Sequence, residues 1–443
     1  MNYILERSQE DIKSVGGLCL VGRALERIGF TDAFASRRTA DLLKAQVALL
    51  CQGRADFNDV ELFRGDAYFA ESLGLKRAPS EATLRQGLDA CDDAVRAGIR
   101  QANLAALRHA TFTPVRTRHG RYIPVDVDVS PFDNSNSQKE GVSCTYKKVA
   151  GYAPIFAYIG AEGYLLDGEL RPGSQHSQKG APAFLARAIA SLRELGVLED
   201  CLIRMDSAHD AAANLRLLSA AGCKFLVKRN LRGESLPWWI TMAKSVGEVE
   251  APRPGKRVWR GVLSHVQPPR EKNEQDVSDL PLFAVFEVVE RTTNANGQAL
   301  LFPDYEVNTW WTNLPEAPEE VIELYHAHGT SEQFHSELKT DMGIERLPSG
   351  KFATNATVLL LAGVAFNLLR WIGQHALHEP ETLPVKLKVA RRRLASVMRD
   401  LIYIACKRVR HAGSVFLKFG RECPWFRTFR SVYRELAVQP GDA

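Results

Sequence analysis

A chain of 443 residues with 45% hydrophobic and 25% charged residues has material for two to three packed domains and the composition of an ordinary globular protein, which excludes disordered and fibrous classes. The formal net charge of +5 is mild but uneven, because Lys386 to Arg434 holds fourteen Lys/Arg against two acids, Asp400 and Glu422, a balance that favours a polyanionic partner. Eight cysteines without a CxxC pair indicate neither a zinc site nor a disulfide framework and suit a cytoplasmic protein; no signal-peptide pattern opens the chain, and the most apolar run, Ala356 to Phe366, falls short of the ~20 residues a membrane span needs.

Residues 13 to about 112 carry apolar side chains at three- and four-residue spacing in LCLVGRALERIGF, TADLLKAQVALLCQG and EATLRQGLDACDDAVRAGIRQANLAALR. They predict a wholly helical region, with Ser80 capping one helix. Short helices and tight turns suit a helix-turn-helix module or a plain packing domain. At Arg121 the period becomes alternating. Strands are expected at Tyr122–Val129, Ala153–Ile159 and Tyr164–Leu170, the last two joined by the turn Gly160-Ala161-Glu162-Gly163, with a Ser/Asn/Gly-rich loop over 131–151. A helix over Ala181–Leu195, a strand over Cys201–Asp206, a helix over Asp210–Ala221 and a strand over Lys224–Lys228 follow. The resulting β-β-β-α-β-α-β order is that of a ribonuclease H-like fold, an α/β core whose mixed sheet is flanked by helices.

From about Gly233 to Leu314 the chain reads as a β-rich insertion, with KRVWRGVLSHV, LFAVFEVVER and a hairpin-like NANG leading into DYEVNTWWTNL; Arg270 to Asp279 is expected to be a solvated loop. Helices over Pro318–His326, from Thr330 and over Ala356–Trp371 close the core. Thr330 and Gln333 form a capping-box pattern. In the helix it would start, Phe334, Leu338 and Met342 make an apolar stripe, with Glu332, His335, Ser336 and Lys339 opposite. The domain boundaries expected are 1–118 (helical), 119–230 and 315–378 (the two parts of the core), 231–314 (insertion) and 379–443 (basic segment).

Asp126 and Asp128 stand two apart on a strand and so share a face. Asp206 ends a buried strand, where a carboxylate needs a partner or a metal. Glu332 begins a helix. If the fold brings their elements together, three such carboxylates bind hard divalent cations, Mg²⁺ or Mn²⁺, and two ions can drive in-line attack at phosphorus. Glu337 competes for the third position but points away from Lys339.

These residues carry a family resemblance. VDVDVS, GYLLDGELRPGSQHS, RMDS and the pattern Tyr325, His328, Glu332, Lys339 resemble the DDE transposases of bacterial insertion sequences, closest to the insertion-sequence 1380 family of the insertion-sequence 4 group. The resemblance covers roughly residues 115 to 375. It implies Asp128, Asp206 and Glu332 as catalytic metal ligands for two Mg²⁺ or Mn²⁺ ions, with Asp128 preferred to Asp126 because Ser130 follows it by two. It also implies cleavage of the element's terminal inverted repeats with joining of the 3′-hydroxyls to target DNA, a homodimer in the active complex, and a cytoplasmic, nucleoid-associated protein with no membrane contact. Tyr325, His328 and Lys339 are expected at phosphates, His328 standing where the group usually has Arg. The Lys386 to Arg434 segment, with Arg391, Arg392 and Arg393 and interleaved Tyr403, Phe416, Phe419 and Trp425, suits phosphate contacts, against a solvated helix face as the plainer reading. Arg171, His176 and Lys179 are candidates for the DNA backbone, and one of Trp238, Trp239, Trp259, Trp310 and Trp311 for an extruded base, against surface loop and core packing as the plainer readings. The alternatives are a nuclease of the same fold without strand transfer and a catalytically inactive, transposase-derived DNA-binding protein.

Overall fold

Helix-forming spacing up to residue 112 yields five helices: α1 (Leu18–Arg27), α2 (Arg37–Leu50), α3 (Ala67–Ser72), α4 (Glu81–Asp89) and α5 (Asp93–Leu107), preceded by a short strand β1 (Ile12–Lys13). The computed structural model describes residues 2–264, 266–268, 280–294 and 296–437. Ser80 caps α4 by accepting the Thr83 N–H at 3.1 Å, as its position after a proline predicts.

The alternating region builds β2 (Val115–Arg116), β3 (Arg121–Val129), β4 (Phe132–Asp133), β5 (Ser143–Cys144), β6 (Ala150–Tyr152), β7 (Ile155–Ile159) and β8 (Tyr164–Glu169), followed by α6 (Ala181–Glu194), β9 (Cys201–Met205), α7 (Ala212–Ala220) and β10 (Lys224–Lys228). These strands pair in the order β8-β7-β3-β9-β10. β3, β9 and β10 run parallel, β7 runs antiparallel to β3, and β8, antiparallel to β7, again runs in the direction of β3. Parallel strands covered by helices are buried on both faces: β3 is buried from Tyr122 to Val127 and β9 throughout. Residues 131–151 are not a plain loop, since β4, β6 and β5 form a small sheet of their own.

The segment expected to be strand-rich from Gly233 instead opens with a helix, α8 (Leu236–Val246), because Ser235 caps it and Pro237 sits in its first turn, where a missing N–H costs nothing. Strands β11 (Glu248–Arg253), β12 (Lys256–Leu263), β13 (Phe283–Thr293) and β14 (Ala299–Thr312) follow. β14 pairs antiparallel with β10, Val227 facing Trp311, so the insertion is a continuation of the core sheet, ten strands among the described residues. Around the NANG turn Asn294 N–H donates to Gln298 O at 2.9 Å; Ala295 and the charged stretch Arg270 to Asp279 lie outside the described residues.

α9 (Pro318–His326) does not stop before Thr330. It runs through a 3₁₀ segment, Ala327–Thr330, into α10 (Ser331–Ser336) and a π-helical turn, Glu337–Asp341. Thr330 has helical angles and its hydroxyl donates back to Ala327 O at 2.7 Å. The capping-box expectation is therefore corrected: a helix already propagating from α9 leaves no free N–H for Thr330 to cap. Phe334, Leu338 and Met342 are buried as the stripe predicts, but His335 is buried too.

The core helix is longer than expected. α11 (Phe352–His378) spans 27 residues and is packed by α2, α5 and β8. Its length and apolarity would cross a membrane, yet its most apolar stretch is 78% buried inside the protein. Asn367 clamps it to β8, accepting the Leu165 N–H and donating to Leu165 O, both at 2.8 Å. After a single turn α12 (Leu394–Val397), the basic tail folds into the hairpin β15 (Cys406–His411) and β16 (Ser414–Phe419) and the helix α13 (Phe426–Ala437). β15 pairs with β1, and α13 packs on α1, so the tail and the N-terminal helices form one packed unit.

Candidate active site

β3 and β9 lie side by side in parallel register, Asp126 opposite Arg204 and Val127 opposite Met205. One residue further along, Asp128 and Asp206 emerge together at the carboxyl ends of the two central strands, where open α/β sheets place their ligands. Asp126 and Asp128 share a face but differ in surroundings. Asp126 is 3% exposed and takes the Arg204 guanidinium in a two-pronged pair at 2.7 and 2.8 Å, with His328 Nδ1 at 2.8 Å from the same carboxylate. Burial alone would raise its pKa; Arg204 and His328 outweigh it and hold the carboxyl below the usual range. Arg204 also donates to Leu324 O at 2.7 Å.

Asp128 is held more loosely. It accepts the Val129 N–H at 2.7 Å and faces His335 Nε2 at 3.3 Å. Burial pushes its carboxyl up, but His335 and His328 bring it below the ordinary value. His335, whose other nitrogen meets the Tyr158 hydroxyl at 3.1 Å, was expected on the polar face. A signal for it exists in the sequence: His328 and His335 are seven apart, two helical turns, and so share a face, as Asp126 and Asp128 do on their strand.

Asp206 caps the turn Ser207–His209 through the Ala208 N–H at 3.1 Å and meets His209 Nδ1 at 2.9 Å, with its side chain 39% exposed. Glu332 is exposed on α10. Burial first, and then the charges of Asp128, Asp206 and Glu332, push the Tyr146 phenol up to about 12. Lys339 is lowered by burial, against the opposing pull of Glu345, Glu332 and Asp128, and its ammonium lies 5.6 Å from the Phe132 ring. Tyr325 packs on His328 and Trp310, each 5.8 Å between ring centres, and its phenol is raised by burial and then by Asp206, Asp128 and Asp126.

The chain matches the family model described as transposase DDE domain group 1 over residues 5–232 and 286–440. It belongs to that family of transposases. No curated protein matches it. Among solved structures, a cryo-EM structure of the piggyBac transposase synaptic complex with hairpin DNA aligns over 98% of this chain and 85% of that one, at 12% identity and a TM-score of 0.40.

In this transposase several candidate DNA contacts are engaged internally. His328 is buried against Asp126. Arg392 is 4% exposed, pairs with Asp400 at 2.5 Å and lies over Trp425. Arg391 reaches Gln333 and Glu337 and stacks on Phe334, and Arg393 binds Asp341 at 2.8 Å while staying exposed. Arg171 is buried on Glu169 at 2.7 Å, whereas His176 and Lys179 are exposed. Trp239, Trp259, Trp310 and Trp311 are core; Trp238 is 52% exposed on α8. Glu337 is also core, bound by Arg370 at 3.0 Å and by the Leu394 N–H at 2.9 Å.

Carboxylates are the hard oxygen donors that Mg²⁺ or Mn²⁺ takes, and Asp126 is engaged by Arg204 and His328. As placed, no three His, Cys, Asp or Glu side chains among the described residues stand close enough to hold an ion.

Proposed function

We propose that this transposase cleaves the ends of its mobile element and joins the freed 3′-hydroxyls to target DNA, with Asp128, Asp206 and Glu332 as its catalytic carboxylates. The observation that carries this is the parallel register that sets Asp128 beside Asp206 while Arg204 and His328 take up Asp126. Strand order β8-β7-β3-β9-β10 supports a ribonuclease H-like core, and the Tyr325, His328, Glu332, Lys339 pattern supports membership of the insertion-sequence 1380 branch of the insertion-sequence 4 group. Two Mg²⁺ or Mn²⁺ ions held by the three carboxylates would supply nucleophile activation and leaving-oxygen stabilisation.

The chain's own residues do the rest. Asp128 is kept ionised and fixed by the Val129 N–H and His335. Asp206 is oriented by the turn it caps. Lys339, on the same helical run as Glu332, offers an ammonium to a phosphate beside the carboxylates. Bringing two element ends together requires at least two copies of the chain, acting on DNA in the cytoplasm.

The test is nicking of DNA carrying the inverted repeat that flanks the gene, with Mg²⁺, by the native protein and by Asp206→Asn. Nicking that is lost in the variant, with joined product from pre-cut ends, is the expected result. A native protein that binds the end without cutting it, matched by an equally tight Asp206→Asn, overturns the proposal.

A further inference from the structure

The loop between β3 and β7 carries a feature that the carboxylate chemistry does not use. β5 and β6 form a hairpin, Ser143 facing Gly151 and Cys144 facing Ala150, whose tip is Tyr146-Lys147-Lys148. The tip is anchored from within: Thr145 N–H donates to Val149 O and Lys148 N–H to Thr145 O, both at 2.9 Å, and the buried Thr145 hydroxyl reaches Val149 O at 3.0 Å. Lys148 has φ of 60°, the left-handed position that three-residue hairpin loops normally give to glycine. A residue with a Cβ is unfavourable there, so the turn keeps a lysine against its own conformational preference.

Tyr146 is 62% exposed as a residue, yet its hydroxyl is tucked onto Val129 O, one residue past Asp128, at 3.2 Å. The ring is therefore tethered beside the strand end that carries Asp128 while most of the residue stays exposed. Lys147 sits 6.0 Å from that ring and close enough to Lys339 for their charges to repel. An exposed aromatic ring with lysines beside it in the chain is the arrangement that holds a single strand, the ring stacking on a base and the lysines meeting the flanking phosphates.

We infer that the hairpin tip Tyr146-Lys147-Lys148 grips the DNA strand being cut, Tyr146 stacking on the nucleotide next to the scissile phosphate and Lys147 and Lys148 meeting the adjoining phosphates. This rests on the reading of Asp128, Asp206 and Glu332 as the cutting centre. It adds a substrate contact from an element that the three-carboxylate pattern does not include.

The test uses the full chain with an element-end duplex carrying 2-aminopurine at the terminal nucleotide, and Asp206→Asn in the background so that the DNA stays uncut. Binding should quench the fluorophore. Tyr146→Phe should keep the quenching, while Tyr146→Ala should abolish it and weaken binding about 5- to 150-fold, the range base–aromatic stacking spans. Lys147→Ala should flatten the salt dependence of binding by about one unit of slope. Lys148→Gly should melt no lower than the parent but bind DNA more weakly. Unchanged quenching and affinity in Tyr146→Ala, with an unchanged melting temperature, overturns the inference. If instead Asp206→Asn still cuts, the carboxylate assignment falls, and the quenching series still decides whether Tyr146 touches DNA.

Discussion

Glu332 and Glu337 stand five residues apart in one helical run, and the structure gives them opposite energetic roles that a pair of variants can separate. Glu337 is 2% exposed. It holds Arg370 at 3.0 Å, the Leu394 N–H at 2.9 Å and Arg391 at 3.5 Å. Glu337→Gln removes the charge while leaving Arg370 fully buried, and breaking one side of a buried pair costs about 3–5 kcal/mol. With an unfolding entropy of about 2.1 cal/mol/K per residue, roughly 0.9 kcal/mol/K for 443 residues, the melting temperature should fall by about 3–5 °C if the chain unfolds as one unit. Glu332→Gln touches an exposed side chain and should change stability by under about 0.5 kcal/mol, less than a degree, while abolishing metal-dependent nicking. Differential scanning calorimetry and an end-nicking assay on both variants make the check. A Glu337→Gln protein that melts like the parent but cannot cut, beside a Glu332→Gln protein that still cuts, would exchange the two roles and refute the reasoning.

Other expectations follow from the layer beneath the carboxylates. Arg204→Met leaves Asp126 buried without its guanidinium and should destabilise by about 3–5 kcal/mol; the double variant Asp126→Leu/Arg204→Met should recover much of that in urea unfolding, and a double variant no better than the single would show that the pair is not the cause. Burial pulls the His328 pKa down, but Asp126 outweighs it and the net shift is upward. Its stabilising contribution is therefore complete below about pH 6.5 and lost as pH rises through the raised value. The melting-temperature gap between native protein and His328→Gln should shrink from pH 6 to pH 9, and a gap that widens would contradict the assignment. Gly22 lies where a Cβ would stand 1.7 Å from Ser72 O; Gly22→Ala must push α1 off the end of α3, an overpacking cost of about 1–3 kcal/mol that thermal unfolding would register.

Much of this architecture was legible in the residues because period and punctuation agreed. The strand over Lys224–Lys228 and the starts of α6 and β9 were legible from apolar spacing and from glycines that end helices, Gly196 and Gly222, with φ of 71° and 72°; in the β7–β8 turn Gly163 is needed for a further reason, since a Cβ there would meet the Phe334 ring at 2.2 Å. α8 was missed because Trp238 and Trp239 read as strand-formers while the Ser235 cap and Pro237 decided otherwise. The break expected at Thr330 failed because a capping pattern cannot reveal that the preceding helix already supplies the acceptors. The hairpin β15–β16 escaped although its turn, Ala412-Gly413, is local, because its Lys and Arg residues read as part of a basic segment; its pairing with β1, nearly four hundred residues away, lies beyond any local pattern. Among the site residues, paired aspartates on a strand were visible, but which of them Arg204 and His328 would take up depends on strand register, a property of the assembled sheet.

The pairing of β1 with β15 and the seating of α2 and α5 on α11 have a consequence for how the molecule is made. At about 5–20 residues per second, a ribosome that has finished the first hundred residues needs tens of seconds to deliver α11 and β15. During that interval the N-terminal helices have one another to pack against but not α11, on which α2 and α5 are seated. Completion then comes from late in the polypeptide: β15 locks β1, and a message truncated before residue 406 should yield a chain that cannot finish folding its own beginning.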